Sequence, residues 1–393
     1  MPSFPAPQDA GTVIVGMSGG VDSAVSALLL QEAGYSVQGL FMSNWDDEDA
    51  YCTAAEDFQD ARRVSELLGI PLHRVSFAAE YRARVFAHFL REYEAGRTPN
   101  PDVLCNREIK FGVCLDYMHR LGASWIATGH YAQIRRGAGR VQLVKAVDTA
   151  KDQSYFLHQV RPEAMARTLF PIGHLRKQEV RRRAHAAGLP VFDKPDSTGI
   201  CFIGERPFEE FLGGYLKQTP GPIEDPDGQV IGEHRGLALV TLGQRSGLRV
   251  GGRAGALAAP WYAAAKDQRR NALIVVQDPG HPLLLSDRFE VEDVQWLDEV
   301  DGAFSCGVKT RYRQGDLACD VRVGRDDRGG DERGADGTAR VTLHAPARAV
   351  TPGQYAVFYQ GDTCLGGGVI ARCVNSMVAP VIAYNSLISA EGS

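Results

Sequence analysis

A glycine-rich hexapeptide stands between an apolar run and a helical segment near the start of the chain. Residues 11–17 are apolar and rich in β-branched side chains, which predicts a buried strand. Residues 21–33 have helical periodicity and precede Gly34, and glycine is favoured directly after a helix. The hexapeptide Ser18-Gly19-Gly20-Val21-Asp22-Ser23 therefore turns a strand into a helix, which constrains the chain to begin with an α/β unit.

The same alternation of strand and helix continues through the first half of the chain. Strands are predicted at residues 36–42, 72–77 and 124–128, and helices at residues 53–68 and 107–121. Alternating strands and helices indicate a parallel sheet with helices on both faces. The fold class predicted from this pattern is α/β.

The second half of the chain has a different pattern. Glycine and proline become frequent between Gly213 and Gly255, and short alternating strands follow Pro282, which is typical of a small antiparallel β-barrel. We therefore predict three domains: a catalytic domain at residues 1–205, a central linker-rich domain at 206–280, and a C-terminal β-barrel at 281–393. Residues 326–337 are polar and glycine-rich and predict a hairpin loop, to which no role is assigned.

Composition and cysteine usage limit the class of protein. The chain has 393 residues, a formal net charge of -5 and eight cysteines, none of them in a CxxC pair. A disulfide scaffold and a zinc site are therefore disfavoured, and an RNA-binding surface would have to be a local patch. No apolar run is long enough to cross a bilayer, and the N-terminus lacks the features of a signal peptide. We expect a cytoplasmic protein with no membrane partner.

The hexapeptide has the chemistry of a phosphate-binding loop. Two glycines bring backbone N–H groups close to an anion, and the following helix adds its positive dipole end. Ser18 and Ser23 can donate hydrogen bonds, whereas Asp22 would repel phosphate, which implies Mg²⁺ between them. A glycine-rich turn without any ligand is the alternative interpretation. SGGVDS resembles the PP-loop of the ATP pyrophosphatases, a superfamily whose members adenylate an acceptor and release pyrophosphate.

Two separate segments carry cysteines that are candidates for chemistry. Residues 98–106 (TPNPDVLCN) place Cys105 near the N-terminus of the helix predicted from Arg107, where a thiolate is favoured, with Asp102 as a candidate acid or base. An N-cap aspartate beside a buried cysteine explains this segment equally well. In residues 196–204 (DSTGICFIG), Gly199 and Gly204 bracket Cys201. This bracketing indicates a loop that can change shape, although a buried core cysteine is the simpler interpretation of this segment alone.

A basic segment supplies a candidate surface for RNA. Arg176, Lys177 and residues 181–183 (all arginine) crowd one predicted helix and its approach. With Lys309 and Arg311 elsewhere in the chain, this helix predicts a face that binds phosphates, although a solvated helix surface is the alternative.

Five segments together resemble the tRNA-specific 2-thiouridylase family: SGGVDS, TPNPDVLCN, ATGHYA (127–132), KDQSYFL (151–157) and STGICFIGE (197–205). The resemblance continues through GEHRGL, TLGQRSGL, KTRYRQ and TPGQYAVFY, so it covers nearly the whole chain. The family thiolates the wobble uridine of tRNAs for Lys, Glu and Gln. Its fold implies a PP-loop domain, a small central domain and a C-terminal β-barrel.

The resemblance implies a role for particular residues. The family's nucleophilic cysteine matches Cys105, its persulfide cysteine matches Cys201, and its proposed acid/base matches Asp102. Its nucleotide site matches Gly16, Met17, Ser18, Gly19, Gly20, Val21, Asp22, Ser23, Met42 and Gly129. Its tRNA contacts match Asn100, Pro101, Asp102, His130, Lys151, Asp152, Gln153, Arg311, Tyr312 and Gln354.

The same resemblance implies cofactors and partners. ATP and Mg²⁺ would activate the uridine carbonyl, tRNA would be the substrate, and a cysteine desulfurase or a sulfur-relay protein would supply sulfur. We expect a monomer. Two other functions remain open: a different PP-loop enzyme, such as an amide-forming synthetase, or an RNA-binding protein without catalysis.

Overall fold

The computed structural model describes residues 6, 11–45, 54–137, 139–196, 208–248, 250, 259–324 and 337–376. The chain divides into two compact units. The first unit comprises residues 1–87, 101–206 and 362–365, and the second comprises residues 88–100, 207–361 and 366–393.

A parallel sheet forms the centre of the first unit. The strands of this part of the chain are β1 (Thr12–Gly16), β2 (Ser36–Ser43), β3 (Leu72–Ser76), β4 (Ala123–Ala127), β5 (Ala132–Gly137), β6 (Arg140–Lys145) and β7 (Thr168–Leu169). Five of them pair in the order β3-β2-β1-β4-β7, and every pairing is parallel. The parallel sheet predicted from the alternating pattern is confirmed.

Helices connect these strands. They are α1 (Val21–Glu32), α2 (Ala54–Leu68), α3 (Ala78–Tyr81), α4 (Ala87–Glu94), α5 (Pro101–Leu104), α6 (Cys114–Arg120), α7 (Ser154–Leu157), α8 (Pro162–Ala166) and α9 (Lys177–Ala186). Two wider π-helical stretches, Arg82–Phe86 and Cys105–Val113, continue directly from α3 and α5. Val13, Ile14 and Val15 of β1 are fully buried, and since successive side chains point to opposite faces, both faces of the sheet are covered.

The helical segment that carries Cys105 begins earlier than its sequence predicts. The predicted start was near Arg107, whereas the structure begins the segment at Pro101. Proline suits the first position of a helix because the N–H it lacks would have no helical partner there. Cys105 therefore lies a full turn inside the helical segment, and its predicted position at a helix N-terminus is wrong.

The second unit contains two antiparallel-rich sheets. A helix, α10 (Phe208–Gly213), precedes a four-stranded sheet made of β8 (Gly221–Glu224), β9 (Val230–His234), β10 (Tyr262–Asp267) and β11 (Ala272–Val276). Residues that a linker-rich segment would leave exposed are instead buried in a small core that includes Ile223, Leu237, Leu273 and Val275.

The C-terminal strands close into a barrel. They are β12 (Leu285–Trp296), β13 (Ala303–Lys309), β14 (Leu317–Val323), β15 (Ala339–Arg348), β16 (Tyr355–Gln360) and β17 (Thr363–Val374). The strand order β12-β15-β14-β13-β16-β17 returns to its start because β12 also pairs with β17. The predicted small antiparallel barrel is confirmed. Of the predicted loop at residues 326–337, residues 326–336 lie outside the described residues.

Candidate nucleotide and thiol site

The loop between β1 and α1 has a backbone that excludes side chains. Gly19 has a φ of +75°, and a Cβ added there would lie 2.3 Å from the carbonyl oxygen of Asp57. Gly20 is the N-cap of α1 and has extended backbone angles. Glycine is therefore required at residue 19 by both conformation and space, and the N–H groups that begin α1 have no side-chain cap.

Two serine hydroxyls hold this loop in shape. The backbone N–H of Ser18 donates to Ser23 Oγ at 3.2 Å, and the same hydroxyl donates to the Gly20 carbonyl at 3.0 Å. The two hydroxyl oxygens, Ser18 Oγ and Ser23 Oγ, are also 3.2 Å apart. The loop is thus formed before any anion arrives, which lowers the ordering cost of binding one.

The other predicted nucleotide residues lie at the same edge of the sheet. The carboxyl ends of parallel strands share one edge, so Met42 near the end of β2 and Gly129 just after β4 flank the loop that follows β1. A Cβ added to Gly129 would lie 2.7 Å from the backbone nitrogen of Ser23 and 2.8 Å from the carbonyl carbon of Asp22. The backbone at Gly129 therefore packs directly against the loop.

Replacing Gly129 with alanine is expected to weaken ATP binding. The added methyl must push the Asp22–Ser23 backbone aside, and overpacking of this kind costs about 1–3 kcal/mol. Isothermal titration should therefore show a dissociation constant for ATP raised about tenfold or more. Gly137→Ala is the matched control, because a Cβ there meets no atom within 4 Å. Equal ATP affinity in both variants would contradict a nucleotide site at this loop.

Asp22 is paired with a lysine that the sequence analysis did not assign to this site. Lys177 Nζ lies 2.8 Å from both carboxylate oxygens of Asp22, and the hydroxyl of Tyr131 donates to Asp22 Oδ1 at 2.8 Å. Burial, and then the charge of Asp22, raise the pKa of Tyr131, so its hydroxyl keeps the proton that it donates. The negative charge of Asp22 is thus offset by a side chain of the chain itself.

A second carboxylate shares the same lysine. Asp196 accepts from Lys151 at 2.6 Å and from Lys177 at 2.7 Å, and Arg181 lies 3.1 Å away. Partial burial acts to raise the pKa of Asp196, but the hydrogen bonds from the two lysines outweigh it and hold the pKa at about 2. Lys177 therefore bridges Asp22 and Asp196, and the predicted tRNA contact Lys151 belongs to the same ionic cluster.

A further lysine holds the outer side of the loop. Lys194 Nζ donates to the Gly19 carbonyl at 3.1 Å and to Asp57 Oδ1 at 2.7 Å, and it also pairs with Asp60. Desolvation acts to lower the pKa of Lys194, but the hydrogen bonds and charges of Asp57 and Asp60 raise it overall. Lys194 thus fastens the loop to α2.

Cys105 is a buried thiol at the same edge of the parallel sheet. Its side chain is fully buried, and Asn44, the residue directly after β2, places Nδ2 3.9 Å from Cys105 Sγ. The next two residues are held from the other side, because Asn106 Nδ2 donates to the Phe156 carbonyl at 3.0 Å and Arg107 donates to Gln159. π-helical turns are frequent at functional sites, and the one here begins at Cys105.

The other predicted catalytic residues are placed only in part. Asp102 is half-buried within α5, one turn before Cys105. Cys201 lies outside the described residues, in the gap between Asp196 and Phe208. The pairing of Cys105 with Cys201 therefore stays a prediction.

Several residues of the first unit that are predicted to contact tRNA make contacts within the protein itself. His130 is buried between Phe111 and Phe170, with Nδ1 2.7 Å from Thr128 Oγ1. Burial, and then the charge of Lys110, lower the pKa of His130, so the imidazole is neutral.

The turn at residues 151–154 is likewise saturated with internal hydrogen bonds. Asp152 accepts from the backbone of Ala146 and from both the backbone and hydroxyl of Ser154. Gln153 exchanges two hydrogen bonds with the backbone of Tyr131, the residue that binds Asp22. These residues support the nucleotide loop, and direct contact of their side chains with tRNA stays a prediction.

In the second unit, a turn of the barrel clamps the approach to Asn100. The N–H of Thr98 donates to the Pro352 carbonyl at 3.0 Å, and Gln354 Nε2 donates to the Thr98 carbonyl at 2.9 Å. Gly353, with a φ of +90°, lies between them, and a Cβ there would meet the Thr98 nitrogen at 2.8 Å. Gln354 thus holds the segment that precedes the predicted tRNA contacts Asn100, Pro101 and Asp102.

The hairpin turn between β13 and β14 carries the other predicted contacts. Gln314 Oε1 accepts from the N–H of Thr310 at 2.8 Å and from its hydroxyl at 3.0 Å, which closes the turn. Arg311 donates to the carbonyls of Arg348 and Ala349, and the guanidinium of Arg313 stacks on the ring of Tyr312. The turn therefore presents a basic and aromatic segment of defined shape.

The basic helix α9 was predicted to bind phosphates, but most of its cations contact groups within the protein. Lys177 turns towards Asp22, Arg181 donates to the carbonyls of Phe192 and Lys194, and Arg182 and Arg183 pair with Glu179. The cations that the sequence grouped together are thus largely paired within the protein. For Lys177 that interpretation is wrong, because this side chain belongs to the loop, whereas phosphate binding by the rest of the helix stays a prediction.

The parallel sheet and its glycine-rich loop define the class of this protein. Three family models match in succession: the tRNA methyl transferase HUP domain at residues 11–205, the tRNA methyl transferase PRC-barrel domain at 209–277, and the aminomethyltransferase β-barrel domain at 286–370. The chain is therefore a HUP-domain protein of PP-loop type, with a central and a barrel domain attached.

The relatives narrow this class to one family. A protein of Marinobacter nauticus named tRNA-specific 2-thiouridylase MnmA is 56% identical over 92% of this chain and 91% of its own length. Relatives with the same name from Bordetella avium (54% identical, over 92% of this chain and 98% of theirs) and Chromohalobacter salexigens (57%, 92% and 93%) are similar to the same extent. The chain belongs to the tRNA-specific 2-thiouridylase family, and the resemblance found in the sequence is confirmed. A PP-loop in this family implies that the chain binds ATP, and the assignment of residues 16–23 to that site stays a prediction.

Within the described parts of the chain, no helix combines the length and the apolar character that a bilayer requires.

Proposed function

We propose that the chain catalyses ATP-dependent thiolation of the wobble uridine of tRNAs for Lys, Glu and Gln, giving 2-thiouridine, AMP and pyrophosphate. The observation that carries this proposal is the similarity, at 52–57% identity and over more than nine-tenths of the chain, to relatives named tRNA-specific 2-thiouridylase. The geometry supports it, because a preformed anion-binding loop and a buried cysteine lie at one edge of the same sheet.

The first step activates a poor electrophile. The C2 oxygen of uridine attacks the α-phosphorus of ATP, pyrophosphate leaves, and the oxygen becomes part of a phosphate ester that can depart as AMP. The N–H groups that begin α1, which no side chain caps, would stabilise negative charge on the departing pyrophosphate. Lys177 is the nearest described cation to Asp22 and would turn its charge towards the phosphates once they bind.

Mg²⁺ has no preformed site among the described residues. Both oxygens of Asp22 already accept from Lys177, and the described part of the chain holds no group of three metal-ligating side chains. Mg²⁺ commonly enters such sites on the phosphates themselves, with only one or two protein carboxylates. The described residues do not form a Mg²⁺ site made of protein side chains alone, so no step of the proposed reaction depends on a Mg²⁺ ion held in this way.

The second step replaces the activated oxygen with sulfur. A persulfide on Cys201 carries the sulfur atom to C2, and AMP leaves with the original oxygen. Cys105 attacks the Cys201 persulfide, which would leave a disulfide between the two cysteines that an external thiol must reduce. Asp102, one turn from Cys105, is the candidate that moves the accompanying proton. Both persulfide and released hydrosulfide are chemically competent to attack.

The partners follow from this reaction. The tRNA substrate would reach Asn100, Pro101 and Asp102 with its target base and contact Arg311 and Tyr312 through its backbone. The target uridine would leave its stack to enter the site, as bases modified by enzymes generally do. A cysteine desulfurase or a sulfur-relay protein would load Cys201, and the enzyme would act as a monomer.

A thiolation assay tests the proposal directly. The full chain is incubated with ATP, Mg²⁺, a cysteine desulfurase with cysteine as the persulfide source, and unmodified tRNA for Lys, and nucleosides are analysed by mass spectrometry. We expect 2-thiouridine and stoichiometric AMP, with neither product from a tRNA for Lys whose wobble uridine is replaced by cytidine. ATP cleavage that also requires a small carboxylic acid, without thiolated nucleoside, would favour an amide-forming synthetase instead.

A further inference from the structure

Two cysteines outside the proposed active site lie side by side in the barrel. Cys306 of β13 and Cys319 of β14 are directly opposite each other in the antiparallel pairing, and their Sγ atoms are 3.7 Å apart. Directly opposed residues of antiparallel strands have Cα atoms about 4.5–5.5 Å apart, which lies within the range that disulfides span. The backbone is therefore already positioned for a bond between them.

The two thiols differ in exposure, as a thiol that reacts and a thiol that resolves should. Cys306 is half-buried, whereas Cys319 is fully buried on the inner face of the barrel. The hydrogen bond with Cys306, and then burial, raise the pKa of the Cys319 thiol. Cys319 therefore stays protonated until a mixed disulfide forms on Cys306 beside it. An external disulfide reacts with Cys306 first, because that thiol is the more exposed of the two.

We propose that Cys306 and Cys319 form a reversible redox site, at which oxidation by a low-molecular-weight disulfide such as glutathione disulfide links β13 to β14. The Cys306 thiolate attacks the external disulfide, forms a mixed disulfide and releases one thiol. Cys319 then loses its proton and attacks Cys306 Sγ, which forms the internal disulfide and releases the second thiol. Two protein thiols are oxidised while one external disulfide is reduced to two thiols, so atoms and electrons balance.

The proposed disulfide would lie close to the turn between β13 and β14. Two cross-strand pairs, 307–318 and 308–317, separate the cysteines from the turn of the hairpin. The turn beyond them carries Arg311 and Tyr312, the candidate RNA contacts of the barrel. A covalent link two pairs from the turn reduces the freedom of the strands to separate beside it, which lowers the ordering cost when the turn binds a phosphate backbone. This consequence, but not the redox site, rests on the proposed binding of tRNA.

Peptide mapping tests the site itself. The full chain is reduced, desalted, treated with glutathione disulfide, alkylated and digested with trypsin without reductant. Trypsin cuts after Lys309, Arg311 and Arg313, so the peptides that carry Cys306 and Cys319 stay together only through a disulfide. We expect the linked pair of peptides, its loss on treatment with dithiothreitol, and slower hydrogen exchange of amides 307–318 in the oxidised protein. Glutathione attached to Cys306 without the linked pair, or no reaction at either thiol, would overturn the proposal.

Binding measurements separate this proposal from the proposed function. The oxidised chain should bind tRNA about threefold more tightly than the reduced chain, because less hairpin ordering remains to be done. Cys306→Ser, which keeps a small polar side chain at a half-buried position, should bind equally under both conditions. Equal affinity of the oxidised and reduced wild type would overturn the effect on RNA. If neither form binds tRNA while the linked peptides still appear, the proposed function fails and the redox site stands.

Discussion

Replacing Lys177 with alanine is expected to reduce adenylation of tRNA by about 10²–10³-fold, the loss typical when one preorganised donor to a developing charge is removed. In the structure Lys177 is largely buried and contacts both Asp22 and Asp196. Without it, two carboxylates remain beside the phosphate loop with less positive charge to offset them, and they repel the phosphates of ATP. Release of AMP and pyrophosphate in the presence of tRNA measures the effect.

Matched variants separate the charge of Lys177 from its packing. Arg182→Ala is the control, because Arg182 lies on the same helix, is 74% exposed and forms a surface ion pair with Glu179. Its activity should stay within about twofold of wild type, as expected for a surface ion pair. Lys177→Arg should recover part of the activity, since the charge is kept while the compact ammonium is not. A double variant, Lys177→Ala with Asp22→Asn, removes the repulsion and should regain activity if neutralising Asp22 is the main role.

An adenylation rate for Lys177→Ala within threefold of wild type would contradict this role. Thermal unfolding of each variant must accompany the assay, because removing one partner of a buried ionic cluster also destabilises the fold. A variant that unfolds near the wild-type temperature yet fails to adenylate would place the effect in the reaction and not in folding.

Replacing Cys201 with serine is expected to abolish thiolation, by more than about 10³-fold, while adenylation continues, because a hydroxyl cannot carry a transferable sulfur atom. Cys105→Ser should also block 2-thiouridine formation from a persulfide donor, since Cys105 is the group expected to attack the Cys201 persulfide. The distinguishing measurement is single-turnover thiolation with tRNA adenylated in advance. In separate reactions with ATP and unmodified tRNA, both variants should release pyrophosphate and accumulate the adenylate without releasing AMP, which pyrophosphate release and mass spectrometry would report together.

Cys114→Ala serves as the control for these substitutions. Cys114 is buried at the start of α6, on the helical segment that continues from Cys105, and burial raises its pKa to about 12. It is therefore an inert thiol, and its variant should thiolate at the wild-type rate once stability is matched. If Cys201→Ser thiolates normally, the persulfide assignment is wrong and only the ATP-site interpretation remains. Normal thiolation by Cys105→Ser with sulfide, but not with a persulfide donor, would point to hydrosulfide as the attacking species.

The sheet and its loop were predictable because their signals are local. The residues of β1 are buried on both faces and form one apolar run in the sequence, and Gly19, just before α1, is required by backbone conformation. Lys177 gave no comparable signal. It stands among arginines on a helix, and only the three-dimensional path of α9 turns it towards Asp22, a residue 155 positions away. Long-range ion pairs of this kind leave no periodicity in the sequence.

The start of α5 at Pro101 could not be predicted from the sequence for a different reason. The helix was predicted to begin near Arg107, yet Pro101 occupies the first position of α5 and the helical segment continues through Cys105. The same residue type breaks a helix in its interior and begins one at its N-terminus, so the sequence alone left both positions open. The domain boundaries and the catalytic roles assigned by resemblance likewise stay predictions.

The clamp on Thr98 has a consequence for the making of the protein. The hydrogen bonds that hold Thr98 come from Pro352 and Gln354, and the second of them spans 256 positions of the chain. Contacts so distant along the chain form late, because their partners must first be synthesised and brought together. During translation, the segment before Asn100 therefore lacks these hydrogen bonds until Gln354 of the 393-residue chain has been synthesised. A chain that terminates before Pro352 would carry the complete loop at residues 18–23 but would lack this support for the segment that precedes the predicted tRNA contacts.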